Sequence, residues 1–301
     1  MLSDLFLCGA ALFLILMLAA GKKSAYGNMA GCAGWIIFAV YWLVLFPGYF
    51  SVGDYTNSLL VIVASVLCLI AAHAFFILFR KLFRKSMSSD ASGSPDDNSE
   101  GTAVTGFGQT VREFSMLVVV ICILYFPFRL IEPVGNALIS SVTSETLAVL
   151  EFLGTGAVRT AFDSIELNGY GVRIILACTA IEAISVIAGL IIAARAPILR
   201  KAAALIICVP VVYSANICRN VFVILAYGNM WFGPDSFVIA HHYIAKLGSI
   251  IVLIITAVCL FRYIPGIMDM IMRIYDFYMG CFRAIAGKAG LIRNKKYRNK
   301  K

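Results

Sequence analysis

Long, uninterrupted apolar runs alternate with short polar segments along most of the chain. Seven of the runs are long enough to cross a hydrocarbon layer of about 30 Å, which takes about 20 residues of helix. They are 2–20, 29–47, 58–79, 114–131, 173–194, 202–226 and 237–261. Because the runs are continuously apolar and do not alternate with polar residues, they predict helices and exclude a β-barrel. The pattern therefore predicts an all-α, polytopic bundle of seven spans, or eight if residues 132–150 also enter the bilayer.

Polar segments divide the chain into regions with different predicted roles. The Ser- and Asp-rich stretch 85–112 predicts a disordered cytoplasmic linker, which separates a three-helix part, 1–84, from a membrane core, 113–262. Within the core, the mixed segment 132–172 predicts an external loop with a short helix and a hairpin-like piece. The last region, 263–301, predicts an interfacial amphipathic helix and a basic cytoplasmic tail. No internal repeat relates the two halves, which argues against an inverted-repeat transporter.

Composition and charge agree with a multi-pass protein of the cell membrane. The chain of 301 residues is 61% hydrophobic and 14% charged, whereas soluble domains have about 45–50% apolar and about 25% charged residues. A net charge of +9 would indicate nucleic acid binding in a soluble protein, but membrane proteins retain basic residues in cytoplasmic loops. An N-terminus outside and a C-terminus inside leaves few Lys and Arg residues near the outer side. These are Arg129, Arg159, Arg173, Arg219 and Lys246.

The cysteines and the first apolar run are both interpreted as structural. Nine cysteines are spread through the spans without a Cys-x-x-Cys pair or the spacing of a disulfide framework, so most are expected to pack as small apolar residues. The apolar run 2–20 has no basic residue before it, and Lys22 and Lys23 follow it. We therefore expect a retained first helix in place of a cleaved signal peptide.

Polar side chains on three consecutive spans are predicted to meet near the outer membrane surface. In "RIILACTAIEA" the thiol of Cys178 lies about 8 Å below the outer end of its span, and Arg219 in "SANICRNVF" lies about 12 Å below the end of the next. The seventh span begins with "AHHYIAKLGS", which carries His241, His242 and Lys246. Since charges within spans cost about 2.5–3.5 kcal/mol each, their convergence indicates a functional site.

These residue types are suited to cysteine nucleophile chemistry. A nearby cation favours the reactive thiolate of Cys178, and Arg219 can also stabilise the oxyanion of a tetrahedral intermediate. A residue of the seventh span would carry the proton, and His241, His242 and Lys246 all stay open for that role. Neither a His-Glu-x-x-His motif nor paired cysteines support a zinc site. We predict no metal and no cofactor.

The residues around this site are expected to orient it or bind substrate. Glu182 lies four residues after Cys178, so both should share a helix face, and Glu182 is interpreted as an orienting partner of Arg219 in preference to a base. Asn216 and Asn220 flank Arg219, and Thr179 can bond back to its own helix. Arg129 is expected to pair with Glu132 or to bind a lipid headgroup or a substrate carboxylate.

The motifs "ACTAIEAIS", "NICRNVF" and "AHHYIAKLGS" resemble the exosortase/archaeosortase family, and most closely its archaeosortase branch. The resemblance covers about 114–262 and matches Cys178 and the Asn216–Arg219 pair residue by residue. Family members often have Gly two residues after the Cys, where this chain has Ala180.

The resemblance implies a membrane-embedded cysteine transpeptidase that acts on the exterior face. Its substrates would be secreted surface-layer proteins that end in a Pro-Gly-Phe-type motif, a transmembrane helix and a basic tail. An acyl-enzyme would pass the new C-terminus to a membrane phospholipid amine without a cofactor. The residues alone also allow a transporter lined by the same polar groups, or a membrane scaffold with a buried Arg–Glu pair. They do not specify the substrates, the lipid acceptor or the oligomeric state.

Overall fold

The computed structural model describes residues 2–21, 24–51, 53–87 and 98–288, and most of them are helical. The helices are α1 Leu2–Ala19, α2 Ala25–Ser51, α3 Tyr55–Met87, α4 Asn98–Leu130, α5 Glu132–Phe152, α6 Ile181–Ala193, α7 Ile198–Gly228, α8 Ser236–Val238, α9 Lys246–Tyr263 and α10 Pro265–Lys288. The strands are β1 Val158–Ala161, β2 Ser164–Leu167 and β3 Tyr170–Arg173. Two 3-10 turns, Leu176–Cys178 and Gly233–Asp235, and a π-helix, Ile239–Ala245, complete the described chain.

Five of the described helices are long and apolar enough to cross a membrane, which confirms a polytopic helical membrane protein. They are Ala25–Ser51, Tyr55–Phe83, Gly108–Leu130, Ile198–Gly228 and Gly233–Tyr263. The last of these combines the second 3-10 turn, α8, the π-helix and α9. Two shorter apolar helices, Ser3–Ala19 and Ile181–Ala193, correspond to the first and fifth predicted spans. The number of spans and the orientation of the termini stay predictions.

The predicted span 173–194 is wrong as a single helix. Strand β3 ends at Arg173, a 3-10 turn covers Leu176–Cys178, and α6 begins only at Ile181. The break lies at Ala180, whose φ of 61° is left-handed and incompatible with a continuing right-handed helix. As a result, Cys178 and Glu182 do not share the face of one helix.

The structure also differs from the predicted linker 85–112. Residues 98–112 belong to α4, and α3 extends to Met87, while residues 88–97 lie outside the described residues. Packing explains the helix at 108–112, because Arg112 is buried. It donates to the backbone oxygen of Met17 at 3.3 Å and to Asn28 Oδ1 at 3.1 Å. The basic tail from 289 onwards also lies outside the described residues.

The chain divides into two compact units, and the first joins residues up to Val119 with the chain from Asp269 onwards. Its core contains Trp35 and Phe75, and the Trp35 indole donates to Ser115 Oγ at 2.9 Å. Arg273 of α10 pairs with Glu113 of α4 at 2.9 Å. These contacts place the predicted amphipathic segment against helices of its own unit.

The second unit, residues 120–268, contains a helix and a small sheet where the external loop was predicted. The strands form an antiparallel sheet in the order β1-β2-β3. Asn168 and Gly169 both have positive φ, as a tight two-residue hairpin requires. Helix α5 and this sheet pack on α7 through apolar side chains that include Val142, Leu150, Ile165 and Ile224.

Arg159 of β1 fastens the sheet to α5. Its guanidinium donates to Ser144 Oγ at 2.7 Å and to Ser140 Oγ at 2.8 Å. At the other end of the sheet, Asn168 donates to the Gly228 carbonyl at 3.1 Å and so satisfies an end group of α7. The sheet is therefore held on two helices, directly before the turn that carries Cys178.

Candidate active site

Cys178 lies at the end of a short, tightly bonded turn between the sheet and α6. Its backbone N–H donates to the Ile175 carbonyl at 2.7 Å. The neighbouring Thr179 is buried, and its hydroxyl donates to the Leu176 carbonyl at 2.7 Å. Thr179 thus closes the turn, whereas the sequence left its role open between back-bonding and substrate contact. Left-handed Ala180 then turns the chain into α6.

Two side-chain amides of α7 hold the turn from the other side. Asn216 Nδ2 donates to the Cys178 carbonyl at 2.7 Å, and Asn220 Nδ2 donates to the same oxygen at 3.0 Å. The two asparagines are four residues apart, so they project from one face of α7. In an uninterrupted helix this carbonyl would accept from the N–H of Glu182. The amides therefore replace the helical bond that the break at Ala180 removes.

Arg219 is connected to the cysteine turn through one of these amides. Its Nη1 lies 3.5 Å from Asn220 Oδ1, while the nitrogen of the same amide contacts the Cys178 carbonyl. The Asn220 side chain therefore bridges Arg219 and the cysteine turn. Asn216 was expected to orient Arg219, but it bonds to the cysteine turn, and Asn220 contacts both.

A cavity of about 790 Å³ collects most of the predicted polar residues. Its wall includes Glu182, Asn216, Arg219, His241, His242 and Lys246. Apolar side chains of α7 and α9, such as Phe222 and Leu253, form much of the remaining surface. Cations and apolar groups in one cavity suit a ligand that carries both an apolar chain and a polar or anionic group.

A second cavity, of about 150 Å³, lies beside the thiol. Cys178, Asn220 and His241 line it together with Arg173 and apolar residues of β3 and α7. His241 also lines the larger cavity, while Cys178 lines only the smaller one. Of the three candidates for proton transfer, His241 is therefore the one that shares a cavity with Cys178.

Both histidines belong to the π-helix, which the hydrophobic pattern did not predict. The His241 ring stacks on Phe237 with centroids 5.2 Å apart and 10° between the planes. His242 meets His241 edge-on at 4.9 Å. A π-helix has more residues per turn than an α-helix, so adjacent side chains diverge less around its axis, and such segments often occur at functional sites. This geometry allows both rings to face the larger cavity.

Glu182 has a different partner from the one predicted. Its Oε1 accepts a hydrogen bond from the hydroxyl of Tyr125 at 2.9 Å, and among the described residues it forms no ion pair with Arg219. The reason is its place in the first turn of α6, beyond the break at Ala180. Arg129 lies one turn beyond Tyr125 on α4 and interacts with the same hydroxyl. It lines neither of the two cavities, so its predicted role in substrate or lipid binding stays a prediction.

Arg173 belongs to an ion pair that the sequence did not predict. Its Nε lies 2.6 Å from Asp163 Oδ2, and the carboxylate is buried while the guanidinium is largely exposed. Hydrogen bonding from Arg173, together with a weaker contribution from the Ser164 hydroxyl, lowers the pKa of Asp163. Ile174 N–H also donates to the Asp163 carbonyl at 2.7 Å. Asp163 therefore anchors the strand that leads into the cysteine turn.

Within the described ranges, no three His, Cys, Asp or Glu side chains form a group that could hold a metal ion.

Comparison with known proteins identifies the family. The sequence model of the transmembrane exosortase family matches residues 99–262. The chain is similar to archaeosortase A of Natronomonas pharaonis, with 26% identity over 265 residues, which is 78% of this chain and 75% of that protein. It is also similar to archaeosortase A of Haloferax volcanii, with 28% identity over 222 residues, or 70% of this chain and 67% of that protein. No solved structure matches the chain significantly. Since the family match spans more than half of the chain and includes Cys178, Arg219 and both histidines, the chain belongs to the exosortase/archaeosortase family.

Proposed function

We propose that the protein is a membrane-embedded sorting transpeptidase with Cys178 as its nucleophile. The observation that carries this proposal is the cysteine turn, which two buried amides hold in a cavity shared with His241, and one of these amides also contacts Arg219. The family match and the two archaeosortase A relatives favour the same conclusion.

The proposed substrates are secreted proteins with a C-terminal Pro-Gly-Phe-type signal, a transmembrane helix and a basic tail. The thiol of Cys178 transfers its proton to His241, and the sulfur attacks the carbonyl carbon of the scissile peptide bond. Arg219 stabilises the negative charge that develops. The C–N bond breaks, the leaving amine takes the proton from His241, and a thioester joins Cys178 to the substrate.

In the second half of the reaction, the amine of a membrane lipid attacks the thioester. A new C–N bond forms, the C–S bond breaks, and the proton of the amine returns to the sulfur through His241. The larger cavity, with its apolar wall and its cations, has the space for this acceptor. The site is proposed to face the exterior, as the distribution of basic residues predicts.

The experiment is a comparison of two cysteines on the processing of a reporter with a Pro-Gly-Phe tail. Cys178→Ala should abolish cleavage and should also eliminate a thioester adduct that mass spectrometry detects with the native enzyme. Cys259→Ala is the matched control, because Cys259 is an exposed cysteine on α9 that lines neither cavity. It should cleave normally. Unchanged cleavage by Cys178→Ala would contradict the proposal and favour a transporter or a scaffold.

A further inference from the structure

The cavity beside Cys178 has the size and lining of a binding pocket for one apolar side chain. It is lined by Val172 and Ile174 from the sheet side, by Val223 and Ile224 of α7, and by Phe237. Apolar protein cavities of about 150 Å³ hold a single benzene ring. This cavity has a volume of about 150 Å³, so its capacity corresponds to one ring.

We propose that this cavity is the specificity pocket of the enzyme and that it receives an aromatic side chain of the substrate next to the scissile bond. The inference rests on the proposed function, because it needs Cys178 to be the nucleophile. The proposed function already gives the substrates an aromatic residue in their signal, and the inference goes further by naming the residues of the enzyme that select it.

The polar groups of the cavity are already occupied or belong to the reaction. The amide of Asn220 bonds to the Cys178 carbonyl and to Arg219, and Arg173 is paired with Asp163 at 2.6 Å. An anionic ligand would have to compete with Asp163 for that guanidinium. The free surface is therefore apolar, which favours a hydrocarbon side chain over a charged one.

The two main walls are rigid, so the pocket has a defined size. Val172 lies on β3, opposite Ile165 of β2 in the sheet register, and Val223 lies on α7 and is buried. Leu167 of β2 packs closely on Gly228 at the end of α7, where an added Cβ would lie only 2.6 Å from the Leu167 side chain. This close contact fixes the sheet to α7. A pocket between two packed elements discriminates by volume, since neither wall can retreat easily.

The test changes the volume of the pocket and of the substrate together. Reporters carry Phe, Trp, Leu or Ala at the aromatic position of the signal, and kcat/KM is measured for each with native enzyme. Native enzyme should prefer Phe to Ala by about 10- to 100-fold, as burial of one large apolar side chain allows. Val223→Ala should shift the Trp-to-Phe ratio towards Trp by about 10-fold, because it adds the volume of two methyl groups.

Two further variants make the result specific. Val172→Leu reduces the volume from the opposite wall, on a half-buried edge strand, and should shift the preference from Phe towards Ala. Val221→Ala is the matched control, because Val221 is buried on the same helix and lines neither cavity. It should leave the ratios of kcat/KM between substrates unchanged. A variant that folds less well lowers kcat/KM for every substrate equally, so these ratios do not depend on the amount of folded enzyme.

The outcomes separate the two proposals. If native enzyme cleaves through Cys178 but the ratios are the same in all variants, the pocket assignment is overturned and the proposed function stands. If native enzyme shows no cleavage that depends on Cys178, both are overturned. A shift with Val221→Ala as large as with Val223→Ala would also overturn the pocket assignment.

Discussion

Asn216 and Asn220 are the residues on which the position of the nucleophile depends. Both amides donate to one carbonyl, that of Cys178, at 2.7 and 3.0 Å. Both side chains are buried, so water cannot replace the hydrogen bond that is lost when either donor is removed. The sequence placed both residues at the site, but their contact with the cysteine turn depends on the fold.

Asn216→Asp replaces the donor nitrogen with a carboxylate oxygen that faces the Cys178 carbonyl. An unsatisfied buried group costs about 1–3 kcal/mol, so kcat/KM for reporter cleavage should fall by about 10- to 100-fold. Asn229→Asp is the matched control, because Asn229 also donates to a backbone carbonyl, at 2.9 Å, but in an exposed position at the end of α7. Equal activity of the two variants would contradict the proposed positioning role.

The two adjacent histidines should differ in their effect on activity. His241 lines the cavity of Cys178 as well as the larger cavity, whereas His242 lines only the larger one. His241→Gln should therefore reduce the rate of acyl-enzyme formation by 100-fold or more, in the range of about 10²–10⁴ expected of general acid–base catalysis. His242→Gln should have a smaller effect. Single-turnover formation of the thioester measures this step, and a larger loss with His242→Gln would reverse the assignment.

At the scale of elements, the break between the 3-10 turn and α6 determines where the thiol lies. Ala180 has φ 61°, in a region that costs a residue with a Cβ roughly 1–2 kcal/mol. Glycine has no such cost, which gives a physical reason for the Gly expected at this position from the family resemblance.

Ala180→Gly should raise the stability of the protein by up to about 1 kcal/mol, since relief of the strain exceeds the added entropy of the unfolded chain. Ala183→Gly, three residues later within α6, should lower the stability because its backbone is helical. The measurement is the midpoint of thermal unfolding in detergent. A lower midpoint for Ala180→Gly would show that Ala180 is not strained.

The ion pair of Asp163 and Arg173 should make the stability of the sheet depend on acid pH. The pKa of Asp163 is lowered in the folded protein, so its contribution is complete above the unfolded value of about 3.9 and is lost as the pH falls through the lower folded value. The difference in unfolding midpoint between the native protein and Asp163→Asn should be present at pH 6 and should shrink progressively as the pH falls below about 3.9. An unchanged difference at pH 3 would exclude this linkage.

At the scale of the whole molecule, the distribution of basic residues predicts the orientation in the membrane. Basic residues are retained on the cytoplasmic side, so the N-terminus should be outside and the C-terminus inside. An epitope at the C-terminus should resist protease added to intact cells, while an epitope at the N-terminus should be cleaved. The opposite pattern would place the proposed active site on the cytoplasmic side and would contradict an exterior sorting reaction.

The sequence alone determined the membrane class and most of the helices, because the hydrophobic effect acts on runs of residues and leaves a local pattern. It also singled out Cys178, Arg219 and the two histidines, since polar groups in apolar spans are costly and therefore conspicuous. The amphipathic segment and the hairpin-like piece were recognisable from their mixture of apolar and polar residues.

Only the tertiary structure decided how these groups meet. Nothing local distinguishes the apolar run around Cys178 from a continuous helix, because the break at Ala180 is stabilised by amides about 40 residues away on α7. The Tyr125 partner of Glu182 comes from α4 in the same way. The π-helix and the two cavities likewise depend on how elements pack. Long-range packing selects among conformations that the local sequence leaves close in free energy, and for this reason the geometry of the site appeared only in the fold.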